Sequence, residues 1–292
     1  MDQKTLFPTD DPHHVSFQYG APGEALMPTQ VMATASEAFW RDNSNYTYLQ
    51  YGPTLGDSEY RRHLAEFLSV RYADTVREER LALTGGATAS FSNIITLFTT
   101  KKTRILVEDP TYFLALKVLQ DHGFDPANFL SVPTDEHGLD VAQLVQMLDA
   151  NKNSGFDSTD SSKYAFLLYM VPTYSNPTGR STSLKRRNQL IQLARKHNVL
   201  IVCDDVYQLL PLAPSSVPPA RLVSLDTADS ALSESSFRGH VISNNSFSKI
   251  MAPGLRLGWI ETHPSLLAHI SRSGIMNSGG SPNHIVSGII TT

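Results

Sequence analysis

Short, fully apolar runs alternate with amphipathic stretches along most of this chain. Five runs have the length and composition of buried strands, each ending in polar or turn-forming residues. They are "RILVEDP" (104–110), "YAFLLYMVP" (164–172), "NVLIVCDD" (198–205), "HVISNNS" (240–246) and "LRLGWIE" (255–261). Between them the period becomes that of a helix. "EYRRHLAEFLSVRY" puts Tyr60, Leu64, Phe67 and Leu68 on one face. "SLKRRNQLIQLARKHN" gathers Leu184, Leu190, Ile191 and Ala194 on one side, with Lys185, Arg186 and Arg187 read as a solvated face. Strands alternating with amphipathic helices predict an α/β fold, a mainly parallel sheet flanked by helices. Residues 151–163 and 213–236, rich in Ser with Gly, Asp or Pro, read as surface loops, because apolar runs resume after each.

Bulk properties narrow the class. With 292 residues, 41% hydrophobic and 18% charged, the chain can bury a sizeable core. A formal charge of −4 and the lack of any basic stripe argue against nucleic acid as a partner. No apolar run is long enough to cross a bilayer, so no membrane role is expected. The opening "MDQKTLFPTDDPHH" is polar and acidic, unlike a secretory or transit segment. One cysteine, Cys203, fits a reducing compartment, and the expected location is cytoplasmic. The histidines, His13 and His14 included, lack metal-ligand spacing, so no metal is expected.

Sites in sheets of this kind form beyond the carboxyl ends of the strands, and the polar and aromatic residues collect there. "GGATAS" follows "LALT" and opens a helix near Ala87, whose free N–H groups suit a phosphate. It matches neither G-x-G-x-x-G nor a P-loop, which disfavours a nucleotide. Tyr112 follows the first strand run, Asn176 lies in "YSNPTG", and Asp204 and Tyr207 close "IVCDDVY". "SNNSFSKIMAPGLRLGW" then supplies Ser246, Ser248, Lys249 and Arg256. A lysine set between apolar runs and small hydroxyl residues is unlike a surface lysine. Together these are the parts that hold pyridoxal phosphate. An amine forms an imine with the aldehyde. A carboxylate keeps the pyridine nitrogen protonated. Hydroxyls, N–H groups and a guanidinium take the phosphate. Strand alternation sends Asp204 and Asp205 opposite ways, so only one can face the ring, and the spacing to Tyr207 favours Asp204. The plainer readings are helix caps for the aspartates, a turn at Asn176 and ordinary packing for Tyr112 and Cys203.

"SFSKIMAPGLRLGW", with "NPTG" and "DDVY" in this order, resembles the pyridoxal-phosphate-dependent class I/II aminotransferases of fold type I. The flavour is that of the aminoadipate/kynurenine branch, and the resemblance runs from about Phe17 onward. It implies a homodimer that moves an amino group between an amino acid and a 2-oxo acid. Lys249 would form the aldimine and carry the proton, and Asp204 would pair with the ring nitrogen. Asn176 and Tyr207 would bond the phenolic oxygen, and Tyr112 would stack on the ring. Ala87, Thr88, Ser246, Ser248 and Arg256 would hold the phosphate. Tyr51, in "YGPTLG", would reach the phosphate of the neighbouring subunit, and Gly20 would lie near the substrate carboxylate.

The resemblance also implies a domain plan. Residues 1–50 would form an N-terminal arm and small-domain segment, 51–280 the cofactor-binding large domain, and 281–292 the start of a connecting helix. Family members continue into a C-terminal small domain carrying the arginine that grips the substrate carboxylate. No arginine follows Arg272 here, so the small domain is expected to be incomplete. Two alternatives stand beside transamination: a non-catalytic pyridoxal-phosphate-binding remnant, and a lyase or decarboxylase using the same cofactor.

Overall fold

The sheet is built from the apolar runs, in an order that differs from their order along the chain. The computed structural model describes Gly20 and residues 22–152, 155–156, 159–210, 218–228 and 238–292. Among the described residues the strands are β1 (Leu81–Thr84), β2 (Arg104–Asp109), β3 (Leu130–Asp135), β4 (Gly138–Leu139), β5 (Phe166–Met170), β6 (Val199–Asp204), β7 (Val241–Ser246) and β8 (Gly258–Thr262). They form one sheet in the order β1-β8-β7-β6-β5-β2-β3-β4. β7, β6, β5, β2 and β3 run parallel. β8 lies antiparallel between β7 and β1, and β4 pairs antiparallel with β3.

The helices are α1 (Thr29–Arg41), α2 (Ser58–Tyr72), α3 (Ala87–Phe98), α4 (Phe113–Asp121), α5 (Val141–Asn151), α6 (Leu184–His197), α7 (Leu222–Ala228), α8 (Pro264–Ser271), α9 (Gly274–Gly279) and α10 (His284–Thr291). Alternation along the strands splits the core into two layers. Ile105, Val107, Tyr169, Val202 and Ile242 face Phe91, Ile94, Ile95 and Phe98 of α3 and Leu119 of α4. Leu106, Leu168, Ile201, Cys203 and Val241 face Leu144 of α5, Leu190 and Ile191 of α6, and Leu222 of α7. A third cluster joins Tyr60, Leu64, Ala65 and Leu68 of α2 to Leu81, Leu83, Leu257 and Trp259 at the β1–β8 edge.

Several expectations require correction. The buried arc of α2 turns toward Ala65, which leaves Phe67 at its rim, 41% exposed. There Phe67 lines an apolar cavity of about 400 Å³ with Leu64, Phe247, Ile250, Met251 and Ile290. Leu184 is the first residue of α6 and is also exposed. Of the basic trio on that helix only Lys185 is solvated. Arg186 pairs with Asp135 and donates to the Gly138 carbonyl. Arg187 is fully buried and donates to the carbonyls of Pro172 (2.7 Å), Thr182 (2.8 Å), Ala220 (3.1 Å) and Pro219 (3.3 Å), and to Thr173 Oγ1 (2.8 Å). Its planar fork satisfies loop carbonyls that no strand reaches.

The stretch 213–236, read as a loop, contains α7. Leu222 and Val223 are buried there, and Asp226 accepts the N–H groups of His240 (2.7 Å) and Val241 (3.1 Å). Tertiary burial thus overrides a composition rich in Pro and Ser. Residues 213–217 and 229–236 of that stretch, His13, His14, Phe17 and part of 151–163 lie outside the described residues.

Candidate active site

The register brings four strand ends to one edge of the sheet. Asp204 of β6 lies opposite Asn244 of β7, and Ser246 at the end of β7 lies opposite Gly258 of β8. Gly258 in turn lies opposite Thr84 at the end of β1. Beyond this edge sit the turns carrying the candidate residues.

Gly86 caps α3 at φ 92°, with no side-chain cap on the helix, so the amides of Ala87 and Thr88 open the helix toward the edge. A Cβ at Gly86 would meet Arg256 Nη2 at 3.3 Å, so the bare glycine makes room for the guanidinium. Ser246 Oγ and Ser248 Oγ lie 2.8 Å apart, and the Ser248 amide donates to Ser246 Oγ at 3.1 Å. Helix amides, two hydroxyls and a cation therefore converge, which is a cradle for a phosphate.

Gly258 makes this approach possible. A Cβ there would lie 2.3 Å from the Asn245 carbonyl oxygen and 3.0 Å from Gly86 Cα. Gly258→Ala is expected to cost about 1–3 kcal/mol through overpacking and to loosen the cradle together with the fold. Urea midpoints and phosphate-ester affinity measured on the same preparations check this.

Lys249 lies in the turn after β7, half-buried, and its ammonium donates to the carbonyl of Gly20. Burial lowers its pKa and the Asp204 carboxylate opposes the shift, so the amine is less basic than a surface lysine. Asp204 ends β6 on the face of Tyr169, whose phenol donates to Asp204 Oδ2 at 2.6 Å. Its other oxygen, Oδ1, is shut from solvent and has no hydrogen-bond partner. Burial pushes Asp204 up to about 6, against the lowering effect of the Tyr169 hydrogen bond and of Lys249. Asp205 points the other way, where Ser243 Oγ donates to it. The two aspartates do diverge, and Asp204 is the one on the Lys249 side.

Tyr207 and Asn176 share a side-chain hydrogen bond, and burial raises the Tyr207 phenol. Tyr112 stands half-buried at the N-cap of α4, raised by burial and by Asp204 and Tyr207. Tyr51 stands apart, 85% exposed, with its ring beside Gly279. The apolar cavity at Phe67 backs onto the Lys249 turn and does not include Asp204.

Two participants carry no motif. Tyr169 is one tyrosine in an apolar strand. Asn244 donates to the Ala87 carbonyl at 2.9 Å while its Oδ1 has no partner. Its signal was a pair of asparagines inside a buried strand, since buried amides are kept to hold something.

Pyridoxal phosphate fits these residues. The unpartnered, dry Asp204 Oδ1 matches a ring N–H, and the Gly86–Gly258 cradle matches the phosphate. Among the described residues no cluster of His, Cys, Asp and Glu could hold a metal ion. The profile of one protein family, "Aminotransferase class I and II", matches residues 18–284. The chain belongs to that family.

Comparisons with individual proteins include several aminotransferases. The chain is 30% identical to the 2-aminoadipate transaminase of Thermus thermophilus, over 89% of this chain and 57% of that protein. The crystal structure of a multiple substrate aminotransferase from Thermococcus profundus superposes with TM-score 0.76 at 27% identity, over 94% of this chain and 62% of that one. The alpha-aminoadipate aminotransferase LysN of Thermus thermophilus, complexed with N-(5'-phosphopyridoxyl)-L-leucine, superposes with TM-score 0.73 at 27% identity and the same coverage. The chain thus spans about three-fifths of the length of these three relatives.

Proposed function

We propose that this chain carries the cofactor site of a pyridoxal-phosphate-dependent aminotransferase, which exchanges an amino group between an amino acid and a 2-oxo acid. The observation that carries the reading is the pairing of a half-buried, weakened lysine with a dry carboxylate whose free oxygen has no protein partner. When bound, pyridoxal phosphate supplies an aldehyde carbon and a protonated ring that accepts the electron pair left at a substrate α-carbon.

This chain's residues then act in distinct ways. Lys249 would hold the aldehyde carbon and, as a free amine, would carry a proton to or from the substrate α-carbon. Asp204 Oδ1 holds the ring N–H. Tyr207 and Asn176, already hydrogen-bonded to each other, hold the phenolic oxygen. Tyr112 presents an aromatic face, and Ala87, Thr88, Ser246, Ser248 and Arg256 fix the phosphate. Gly20, whose carbonyl now takes Lys249, lies where a substrate carboxylate would displace that contact.

In this reading residues 51–280 are the cofactor-binding domain, 1–50 an arm with part of a small domain, and 281–292 the start of a connecting helix. Tyr51, exposed on the single chain, serves the phosphate of a second subunit in a homodimer. The names of the relatives point to 2-aminoadipate or kindred substrates. The lone, buried Cys203 supports a cytoplasmic location, and no helix among the described residues is long and apolar enough to cross a membrane.

The test is a visible spectrum of the chain with pyridoxal phosphate, before and after an amino-acid mixture. We expect a band that amino acids bleach and that Lys249→Ala abolishes. A band that ignores amino acids would indicate cofactor binding without turnover. Release of carbon dioxide or of an elimination product would indicate a decarboxylase or lyase. A band unaffected by Lys249→Ala would sink the assignment.

A further inference from the structure

The two oxygens of Asp204 are treated differently by the protein. Oδ2 takes the Tyr169 phenol at 2.6 Å, and Oδ1 takes nothing. Tyr169 is itself immobilised. It sits in β5 opposite Val107 of β2 and Val202 of β6, is 1% exposed, and lies against Phe91 of α3 with ring centroids 4.9 Å apart. Its tip can neither swing away nor reach water. We propose that Tyr169 is a positioning residue for Asp204: by occupying Oδ2 it turns Oδ1 toward the cofactor's ring nitrogen and holds the carboxylate in its charged form. The proposal rests on the cofactor reading above.

The chemistry follows from the environment. A carboxylate taken out of water favours its neutral form unless donors compensate. The groups around Asp204 divide clearly. Lys249, from the turn after β7, and the Tyr169 phenol, from β5, favour the charge, as does the Val206 amide. Asp205, next along the chain, opposes it. Tyr112 at the head of α4 and Tyr207 after β6 face the same carboxylate, and the charge of Glu108 of β2 acts on Tyr169. Lys249 is committed to the cofactor's aldehyde once that binds, so it is no longer a free ammonium beside Asp204. Tyr169 is then the side-chain donor that stays. Burial among apolar strands raises its phenol, so it remains a donor across the working pH range. A neutral Asp204 would offer the ring nitrogen no charge, and Tyr169 sets how far the pH must fall before that happens.

The experiment follows the carboxyl carbon of Asp204 by NMR in chain labelled with ¹³C-aspartate and free of cofactor, with Asp204→Asn to assign the signal. In Tyr169→Phe, which keeps the ring and its packing, the Asp204 midpoint should rise by about one pH unit or more, the worth of a hydrogen bond to a charged group. Affinity for pyridoxal phosphate should fall about 10-fold near pH 6 and recover toward the wild-type value near pH 8.5. Tyr164→Phe removes another buried phenol, one that donates to the Gly239 carbonyl, and should leave the midpoint where it is. An Asp204 midpoint unmoved in Tyr169→Phe would overturn the role given to Tyr169. Absence of any Lys249-dependent band in the wild-type chain would overturn the cofactor reading instead, so the two failures are separable.

Discussion

Replacing Arg187 by alanine should lower the unfolding free energy by about 4 kcal/mol or more, close to the whole stability of a marginal domain. The guanidinium is fully buried and serves four carbonyls and the Thr173 hydroxyl. Its removal leaves the carbonyls of Thr182, Pro219 and Ala220 without their donor, at about 1–3 kcal/mol each before relaxation, and opens a cavity as well, while Pro172 keeps the Thr182 N–H and Thr173 keeps Gln208. Burial lowers the Arg187 pKa, with Asp205 the main opposing charge, so the site is dry but not electrostatically neutral. Arg187→Lys should fall between wild type and alanine, because a point charge cannot reproduce the planar fork. Urea midpoints of the three proteins decide it. A shift below about 1 kcal/mol for the alanine variant would show that water enters and satisfies the carbonyls.

Asp204→Asn should have opposite effects on stability and on function. Burial raises Asp204 from 3.8 to about 6, so between those values the folded chain binds more protons than the unfolded one. The stability this protonation supplies is fully present below pH 3.8 and is lost as pH rises through 6. A shift of that size corresponds to on the order of 3 kcal/mol. Asparagine stays neutral and can still accept from Tyr169, so the cofactor-free variant should lose this slope and be the more stable protein at pH 7.5. The amino transfer proposed above should meanwhile fall by about 10²–10³-fold, the loss expected for one preorganised electrostatic partner. Urea midpoints at pH 4.5 and 7.5, each with and without pyridoxal phosphate, measure both halves. A wild-type midpoint higher at pH 7.5 than at 4.5 without cofactor, with the difference removed in the variant, would reverse the sign. The strain at Asp204 is the sort of local cost that a working site imposes on its fold.

Much of the fold was legible because its strands are buried on both faces and so read as unbroken apolar runs. β2, β5, β6, β7 and β8 overlap the runs that predicted them. β3 was not legible: Leu130–Asp135 is half-exposed at the sheet margin and carries Pro133, so it lacks the signal. Helix α7 was hidden by its Pro- and Ser-rich surroundings, because the burial of Leu222 and Val223 comes from distant partners. The Lys249 cluster was legible since its residues are neighbours in the chain. Arg187 and Tyr169 were not, because each takes its meaning from a group that only folding brings near. An arginine two places from a solvated lysine, and a tyrosine inside an apolar strand, look ordinary until Pro172 and Asp204 arrive beside them.

The insertion of β8 between β1 and β7 has a consequence for biogenesis. Thr84 and Ser246 both meet Gly258, and Arg256 comes back to Gly86. The cradle is therefore closed by a strand made long after the helix it covers. Such long-range pairing is slow to form, because the entropy of the intervening loop is lost before the contacts are made. A nascent chain could display the "GGATAS" turn, the Asp204 strand and even Lys249 without being able to retain a phosphate ester. Capture of the cofactor would then mark the moment the sheet is sealed, and the vitamin-derived ligand would double as a reporter of completed folding.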